Sequence, residues 1–546
     1  MSFPGQGPDN DYKKGILMSR HNCVRTIFHG ACLIAMGTLP LAALADNPVV
    51  IHEVKHDVSP PLRSLAAAPL QTGGGQQQAP VPRPTRPPIT SSQPDPVAQE
   101  PIVPLSGVST VLNFDGQSAN DNRNVLGFAF VPPDTNGAVG ATQFVQIVNV
   151  TFAVYDKRTG ALTLGPAAIN TIWKGFGGPC EAGNGGDPIV LHDQLADRWL
   201  ISQLQFNSTF SSNQQCIAVS TSSDATGSYN RYVYDFGSDL PDYPKFGVWP
   251  DAYYYSANIF PSGHTFAGAQ ACAFDRAAML AGSSATKICF QNPPSVASLL
   301  PSDLDGSTLP PTGSPNFFVE IADSSDLDLF QFHVDFAIPG NSTFSGPSVI
   351  PVATFSEICN RAINLACIPE PPPGEKVDGL GDRLMFRLAY RNFGDHESLV
   401  VNHTVAGGPL AGVRWYEIRG PGASPFVFQQ GTVVDPKINF WMGSIAMDKA
   451  GDIALGFSAS SMNLDPSVEL VGRVPTDPVG TMEGPNVAVT GTGVQQSSFH
   501  RWGDYSSMAV DSKDDCTFWY TQEYYKTSGS FNWATRVTAF KFSGCH

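Results

Sequence analysis

Along most of the chain, short apolar runs with a period of two are separated by turns rich in glycine, proline and aspartate. Residues 198–204 (RWLISQL) and 517–520 (TFWY) show this alternation, which is typical of β-strands packed against a neighbouring layer. A helical period is not sustained anywhere in the sequence. Glycine (52 residues), proline (46) and phenylalanine (34) are abundant, whereas only 15% of the residues are charged. The pattern therefore predicts an all-β fold.

One sequence unit recurs from about residue 108 onward. It consists of a Gly- or Pro-rich approach, a polar residue, a short apolar strand, an Asp-rich turn and a second apolar strand. Its copies are about sixty residues apart, and one double-length gap holds a further copy at residues 317–336. A unit of this length fits one four-stranded propeller blade. We predict that residues 107–546 form a single β-propeller of about seven four-stranded blades; six or eight blades, or a two-domain β-sandwich, are the alternatives.

The N-terminus has the pattern of an export signal. Two arginines precede an apolar stretch at residues 26–41, and Ala43-Leu44-Ala45 is a small-residue cleavage site. We predict that residues 1–45 are a Sec-type signal peptide with an extension before Met18, so that the protein is secreted or periplasmic. A lipid anchor at Cys32 is a less favoured alternative.

The next segment, residues 46–106, is dominated by proline, glutamine, serine and alanine. Such a composition cannot bury enough apolar surface to offset the entropy lost on ordering. We therefore predict a disordered linker that separates the propeller from the N-terminus.

Removal of the signal peptide leaves eight cysteines, and an even number in an exported chain indicates disulfide bonds. None has the CxxC spacing of a zinc site. We predict that the final strand, residues 534–542, closes the propeller by joining residues 108–114, and that the last cysteine couple fixes this closure. The couples closest in sequence are Cys180 with Cys216, Cys272 with Cys289, Cys359 with Cys367, and Cys516 with Cys545.

The overall charge excludes some partners. The formal net charge is −16, and no cluster of basic residues is present that could bind nucleic-acid phosphates. Outside the N-terminus, no apolar run reaches the roughly eighteen residues of a membrane helix. We expect a monomer with no nucleic-acid partner and no membrane span.

Aspartates at the start of the predicted inner strands are the main candidate ligands. In a propeller this position faces the mouth of the central channel, where the carboxylates would converge. Converging carboxylates bind a hard cation or act as acid and base. We predict a calcium ion held by Asp134, Asp187 and Asp251, with Asp382 and Asp504 in the same ring. The alternative for each aspartate is that it caps a turn through its own backbone.

Basic residues near the same positions complete the predicted site. Arginine next to carboxylates could bind an acidic sugar with two hydrogen bonds, or it could only neutralise the adjacent aspartate. The predicted catalytic residues are Asp382, Arg383, His500, Arg501 and Asp504. The motifs of α/β-hydrolases, zinc proteases and phosphate-binding loops are absent from the sequence.

Aromatic residues near the predicted channel offer stacking platforms for sugar rings, although we interpret most of them as core between the blades. The group comprises Trp249, Tyr253, Tyr254, Tyr255, Trp441 and Trp502.

The runs GDPIVLHDQLADRWLISQ, DRLMFRLAYRNFGDHESLVVNH and RWGDYSSMAVD resemble those of a family of exported bacterial proteins with a propeller-like fold. The resemblance covers the chain from about residue 108 to its end and implies the fold but no active site. Residues 444–451 are distantly similar to the Asp-box turns of sialidase-like propellers. The serine-to-aspartate spacing is longer here and the tryptophan is absent, so the similarity transfers no catalytic residue. We interpret the turns at 448–452 and 511–515 as hairpin turns.

The leading functional hypothesis is an exported propeller that binds, and in its stronger form cleaves, a polysaccharide or other extracellular polymer at the channel mouth. If it is an enzyme, it would be a glycan-active hydrolase or lyase. The competing hypothesis is a non-catalytic interaction scaffold, since propellers serve both roles. An enzyme needs a concave pocket within reach of the carboxylates, whereas a filled or narrow channel favours the scaffold.

Overall fold

The structure is a computed structural model that describes residues 47–65, 75–78, 84, 87–100, 103–359 and 366–546. The predicted signal peptide, its cleavage site and Cys32 lie outside the described residues. Within the described ranges, no helix is long and apolar enough to cross a lipid bilayer.

Six strands precede the repeated part of the fold. They are β1 (Val49–His52), β2 (Lys55–Val58), β3 (Gly75–Gln78), β4 (Ala98–Gln99), β5 (Val108–Ser118) and β6 (Phe128–Val131). The helices are short: α1 (Leu62–Leu65), α2 (Ala119–Leu126), α3 (Pro179–Ala182) and α4 (Arg276–Ala281), with 3₁₀ turns at Ile169–Trp173 and Pro339–Asn341.

The described residues contain seven successive runs of four antiparallel strands, which we number sheets 1 to 7. Sheet 1 contains β7 (Asn136–Val139), β8 (Gln143–Val148), β9 (Thr151–Asp156) and β10 (Leu162–Ala168). Sheet 2 contains β11 (Gly186–Asp193), β12 (Arg198–Phe206), β13 (Asn213–Ser220) and β14 (Tyr229–Gly237). Sheet 3 contains β15 (Asp239–Val248), β16 (Ala252–Pro261), β17 (Ala269–Asp275) and β18 (Thr286–Gln291). Sheet 4 contains β19 (Leu300–Asp305), β20 (Asn316–Ile321), β21 (Asp326–His333) and β22 (Thr343–Pro351).

A small ribbon follows, formed by β23 (Ala366–Ile368) and β24 (Val377–Asp378). Sheet 5 contains β25 (Met385–Asn392), β26 (Glu397–Ala406), β27 (Ala411–Arg419) and β28 (Phe426–Val433). Sheet 6 contains β29 (Asn439–Met447), β30 (Ile453–Ser461), β31 (Leu464–Arg473) and β32 (Glu483–Val489). Sheet 7 contains β33 (Ser507–Val510), β34 (Thr517–Tyr525) and β35 (Trp533–Phe542), and its fourth strand is β5.

The first strands of the sheets form a closed ring. They contact each other in the order β7, β11, β15, β19, β25, β29 and β33, and β33 contacts β7 again. Strand β5 pairs with β35 from Ser118 opposite Ala534 to Val108 opposite Phe542. This pairing confirms the predicted closure, and the all-β propeller class predicted from the sequence is confirmed with it.

The hydrophobic core lies between neighbouring sheets. One cluster joins Trp415 of sheet 5 to Phe440 and Leu455 of sheet 6, and another joins Trp519 of sheet 7 to Phe144 of sheet 1. Because both faces of each sheet are covered in this way, the strands read as long buried runs.

The prediction of a disordered linker is wrong for part of its length. Strands β1 and β2 pair with the outer strands β18 and β14, and β4 pairs with the outer strand β28. The prediction treated residues 46–106 in isolation, whereas the outer strands present unpaired backbone groups that a short extended segment can satisfy.

All four predicted disulfide couples are present: Cys180–Cys216, Cys272–Cys289, Cys359–Cys367 and Cys516–Cys545. Such bonds are typical of proteins folded in an oxidising compartment.

Candidate functional site

A residue with left-handed backbone occurs within or shortly before the first strand of each sheet. Three of the predicted aspartates have this geometry: Asp134 and Asp187 with φ of 48° and Asp504 with φ of 57°. Aspartate tolerates this region better than most non-glycine residues. The corresponding residues of the other sheets are Tyr243, Ser298, Leu380 and Met442. The repeated feature is thus a backbone conformation, and a carboxylate is only one way to provide it.

The structure brings most of the predicted site residues together at this end of the ring. The guanidinium of Arg383 donates to both carboxylate oxygens of Asp382, at 2.9 and 3.1 Å. Arg501 binds Asp504 in the same two-bonded manner. These contacts are the structural ion pairs that the sequence left as an alternative.

Sheet 3 contributes residues that the sequence analysis missed. The ammonium group of Lys245, fully buried, lies 3.5 Å from the ring centre of Tyr243 and 4.0 Å from that of Tyr505. The backbone N–H of Tyr243 donates to Asp187 at 3.0 Å, and the half-buried Asp242 precedes it. The sequence signal was the run DYPK in the strand before the predicted Asp251 unit.

The carboxylates of this group affect one another. Burial raises the pKa of Asp134 well above its usual range, and the nearby carboxylates of Asp504 and Asp187 raise it further. Loss of solvent contact also raises the pKa values of Asp187 and Asp242. Burial lowers the pKa of Lys245 to about 8. We call Asp134, Asp187, Asp242, Lys245, Asp382, Arg383, Arg501 and Asp504 the mouth cluster.

Several buried polar atoms of this region have no hydrogen-bond partner in the described structure. They include one carboxylate oxygen of Asp134, the hydroxyl of Tyr243 and one terminal nitrogen of Arg501. Unpaired buried polar atoms are costly, and strongly perturbed carboxyls are frequent at functional sites.

Two predicted residues are not part of the mouth cluster. Asp251 lies in the turn between β15 and β16, at the opposite end of its inner strand, where the Tyr254 hydroxyl donates to it at 3.3 Å. The predicted metal set of Asp134, Asp187 and Asp251 is therefore wrong in including Asp251. The error arose because WPD at 249–251 precedes the second strand of its sheet, not the first. His500 is directed to the Lys376 carbonyl, at 2.8 Å from its Nδ1.

Calcium at Asp134 and Asp187 stays a prediction. Carboxylate oxygens suit this ion, but Lys245, which comes from the neighbouring sheet, supplies a positive charge that the sequence argument had not counted. Within the described ranges, the ligand atoms that come within 4.8 Å of one another as a set of three belong to Asp448, Cys516 and Cys545, and these two cysteines are bonded to each other.

The mouth cluster is almost closed to solvent. The cavity next to Asp382 measures about 20 Å³ and is covered by Pro84, Pro87, Pro88 and Ile89. At the other end of the ring, a cavity of about 30 Å³ is lined by His192, Asp303, Arg387 and Ser512, among others. Cavities of this size hold one or two water molecules, whereas small-molecule sites measure roughly 300 to 1,000 Å³. By the criterion set out above, the narrow channel favours the scaffold hypothesis over catalysis at the mouth.

A roomier cavity of about 220 Å³ lies between sheets 5 and 6. Two stacked pairs line it. The His396 ring stacks on Phe393, with ring centres 4.8 Å apart, and the guanidinium carbon of Arg419 lies 3.4 Å from the ring centre of Phe428. Its polar lining includes the buried Glu417, which accepts a hydrogen bond from Arg419 at 2.6 Å. We call this site the aromatic cavity.

The aromatic residues proposed from the sequence are core, as the sequence analysis favoured. Trp249, Trp441, Trp502 and the three tyrosines at 253–255 are at most 1% exposed. The Asp-box-like turn is a hairpin turn, because the Asp448 carboxylate accepts hydrogen bonds from the backbone N–H groups of Ala450 and Asp452.

Comparison with known proteins identifies no family. No protein-family profile matches the chain, and no curated protein matches it. Among solved structures, it is similar to an α-L-arabinofuranosidase from Fusarium graminearum in complex with an iminosugar inhibitor (8% identity, 81% of this chain and 99% of that chain, TM-score 0.34). It is also similar to the α-L-arabinanase of Penicillium chrysogenum complexed with arabinobiose (8%, 80% and 99%, 0.34) and to the extracellular domains 1–2 of Drosophila semaphorin 1b (7%, 80% and 88%, 0.29). At these identities and TM-scores, the similarities carry no functional argument.

Proposed function

We propose that the protein is an exported β-propeller that binds a polysaccharide, and that it does so in the aromatic cavity between sheets 5 and 6. The observation that supports this proposal is that two stacked pairs, Phe393 with His396 and Phe428 with Arg419, line one cavity.

The chemistry of the cavity suits a hydroxyl-rich ligand. The faces of Phe393 and Phe428 offer apolar surface to the carbon–hydrogen faces of a sugar ring. Phe428 is 39% exposed, so this surface is accessible without a rearrangement. The guanidinium groups of Arg419 and Arg473 provide several N–H donors in fixed directions for ring hydroxyls or a carboxylate. Ligand sites typically combine such an apolar lining with a few convergent polar groups.

Cleavage at the channel mouth is not part of the proposal. Glycoside hydrolysis places two carboxyl groups about 5 to 9.5 Å apart on either side of the bond that is cut, and the sugar must lie between them. Asp134 and Asp187 are only 1% and 7% exposed, and the cavity beside Asp382 admits little more than water.

Affinity electrophoresis of residues 47–546 through gels that contain single soluble polysaccharides, neutral and acidic, tests the proposal. We expect at least one polysaccharide to retard the protein, and we expect Phe428→Ala and Phe393→Ala to weaken that binding by at least tenfold. The matched control is Phe426→Ala: Phe426 is 51% exposed, lies on the same strand, and is not among the residues that line the cavity.

Two outcomes would contradict the proposal. If Phe426→Ala weakens binding as much as Phe428→Ala does, the aromatic cavity is not the site. If no polysaccharide retards the wild-type protein, the scaffold hypothesis takes its place.

A further inference from the structure

Three side chains from two different sheets meet where the first strands end, at the end of the ring opposite the mouth cluster. The Ser512 hydroxyl oxygen lies 3.4 Å from Nδ1 of His192, and Nε2 of the same ring lies 3.1 Å from a carboxylate oxygen of Asp197. His192 and Asp197 belong to the end of β11 and its turn, whereas Ser512 lies in the turn between β33 and β34. His192 and Ser512 also line the same cavity. A hydroxyl, an imidazole and a carboxylate in this order form the arrangement that activates a serine nucleophile.

The position of the His192 ring defines which nitrogen can act as a base. Its side chain is 7% exposed, and the ring packs against Trp199 with ring centres 4.8 Å apart. With Asp197 beside Nε2, that nitrogen carries the proton and donates it, so Nδ1 is the acceptor for the serine hydroxyl. Burial lowers the pKa of the imidazole, which Lys157 also lowers, whereas Asp197 and Asp193 raise it. The net lowering keeps the ring neutral, as a base must be, at physiological pH.

The turn that holds Ser512 is fixed on several sides. The Asp511 carboxylate accepts from the backbone of Lys513 at 2.9 Å and from Lys157 at 2.7 Å. Arg391 binds both carboxylate oxygens of Asp515, at 2.8 and 2.6 Å, and the disulfide of Cys516 follows directly. A rigid support is what a positioned nucleophile requires.

We propose that Ser512 is a nucleophile activated by His192, with Asp197 as a positioning residue, and that this site hydrolyses small acyl esters. The Ser512 oxygen attacks the ester carbonyl carbon while its proton passes to Nδ1 of His192. The carbon–oxygen bond to the alcohol breaks, and the alcohol leaves with that proton. Water then attacks the acyl-serine, gives a proton to Nδ1, and releases the carboxylic acid as the serine hydroxyl is restored.

The size of the cavity limits the acyl group. At about 30 Å³, which is room for one or two water molecules, it takes in an acetyl group at most and excludes long acyl chains, so the alcohol part of the ester must lie outside the cavity. This activity is independent of the polysaccharide binding proposed above, because Ser512 and His192 are not among the residues that line the aromatic cavity.

The test uses the full chain with two probes, a fluorophosphonate and p-nitrophenyl acetate. We expect one fluorophosphonate adduct per chain, located at Ser512 by peptide mapping, and turnover of the ester. Ser512→Ala is expected to abolish both. Ser530→Ala is the matched control, because its hydroxyl is exposed and donates only to a backbone carbonyl, that of Gln496, among the described contacts.

The pH profile separates a catalytic role from a structural one. The adduct should form fastest when His192 is neutral and slow down as the pH falls through the imidazole pKa. His192→Asn should slow adduct formation by about 100-fold or more, the lower end of a general base's contribution, and remove the pH dependence. Asp197→Asn should shift the profile without abolishing the reaction. Thermal melting shows whether each variant is folded.

A wild-type protein that forms no adduct would overturn the proposal. So would an adduct on another residue, or turnover by Ser512→Ala at the wild-type rate.

Discussion

Asp134 is the most enclosed carboxylate of the mouth cluster, and its environment links the stability of the fold to pH. It is 1% exposed, and burial together with Asp504 and Asp187 raises its pKa. A carboxyl whose pKa is higher in the folded than in the unfolded state stabilises the fold when it is protonated. That contribution is complete below the unfolded pKa, near 3.8, and is lost as the pH rises through the folded value.

Asp134→Asn is therefore expected to flatten the dependence of stability on pH. The amide cannot ionise, so the variant should gain stability relative to the wild type progressively as the pH rises above about 4. Urea unfolding at a series of pH values, in the presence of EDTA so that no bound cation contributes, measures this difference. Asp395→Asn is the control, because Asp395 is 83% exposed and its pKa is lowered by His396. A parallel shift of the wild-type and Asp134→Asn curves at all pH values would contradict the prediction.

The position of Asp134, Asp187 and Asp504 could be predicted from the sequence, because in these three units an aspartate comes just before or at the start of the inner strand. The position of Asp251 could not be predicted, because the same sequence pattern, an aspartate before an apolar run, also occurs in the turn before a second strand. Only the pairing of β15 with β16 shows which strand is the inner one. The role of Lys245 was equally hidden, since the run DYPK shows a lysine in the strand but not that it is the counter-charge of a distant aspartate.

At the scale of single elements, the segment before the propeller is held in place by specific contacts. The carboxylate of Asp95 accepts from Arg414 at 2.7 Å and from the Thr432 hydroxyl at 2.6 Å. Arg414 is fully buried and the Asp95 side chain is 3% exposed. These contacts attach β4 to the outer strand of sheet 5. Composition alone could not predict this, because the partner that orders the segment is more than 300 residues away in sequence.

Asp95→Ala is expected to destabilise the fold by about 3–5 kcal/mol, the cost of leaving a buried charge without its partner. The control is Arg63→Ala, which removes an ion pair with Asp224 whose side chains are 58% and 44% exposed. An exposed pair contributes about 0–1 kcal/mol. Chemical unfolding compares the two variants, and limited proteolysis should cut the Asp95→Ala variant near residues 87–100. Equal effects of the two substitutions would show that the Asp95 pair does not hold the segment.

Close packing between elements also explains positions where the sequence has glycine inside a strand. A Cβ atom at Gly247 in β15 would overlap the backbone carbonyl of Ser302 in β19. The inner strands of sheets 3 and 4 can therefore approach each other only because this residue has no side chain.

At the scale of the whole molecule, the ring is closed by joining its two ends. Strand β5, from the start of the propeller, supplies the fourth strand of a sheet whose other three strands are the last of the chain. This closure removes the free edges that an open ring would expose. We predicted the closure from the sequence because an open ring would leave a sheet edge unpaired, and the predicted partner, residues 108–114, lies within β5.

The disulfide between Cys516 and Cys545 stabilises the closing sheet. The two cysteines are 29 residues apart and enclose β34 and β35, the strand that pairs with β5. Closing a loop of this length lowers the entropy of the unfolded chain, which stabilises the folded state by about 3.5 kcal/mol at 25 °C. We therefore expect the double variant Cys516→Ser and Cys545→Ser to lose about that much stability, measured by urea unfolding without reductant.

The effect should also be local, because Cys516 directly precedes β34 and Cys545 lies three residues after the end of β35. Amide hydrogen exchange in β5 and β35 should become faster in this variant, while exchange in β26, which belongs to sheet 5, stays close to that of the wild type at low denaturant. The matched control replaces Cys359 and Cys367, which are 8 residues apart, so that about 2.5 kcal/mol is expected from the shorter loop. If exchange in β5 and β35 is unchanged when Cys516 and Cys545 are replaced, the disulfide does not secure the closure, and the pairing of β5 with β35 alone holds the ring together.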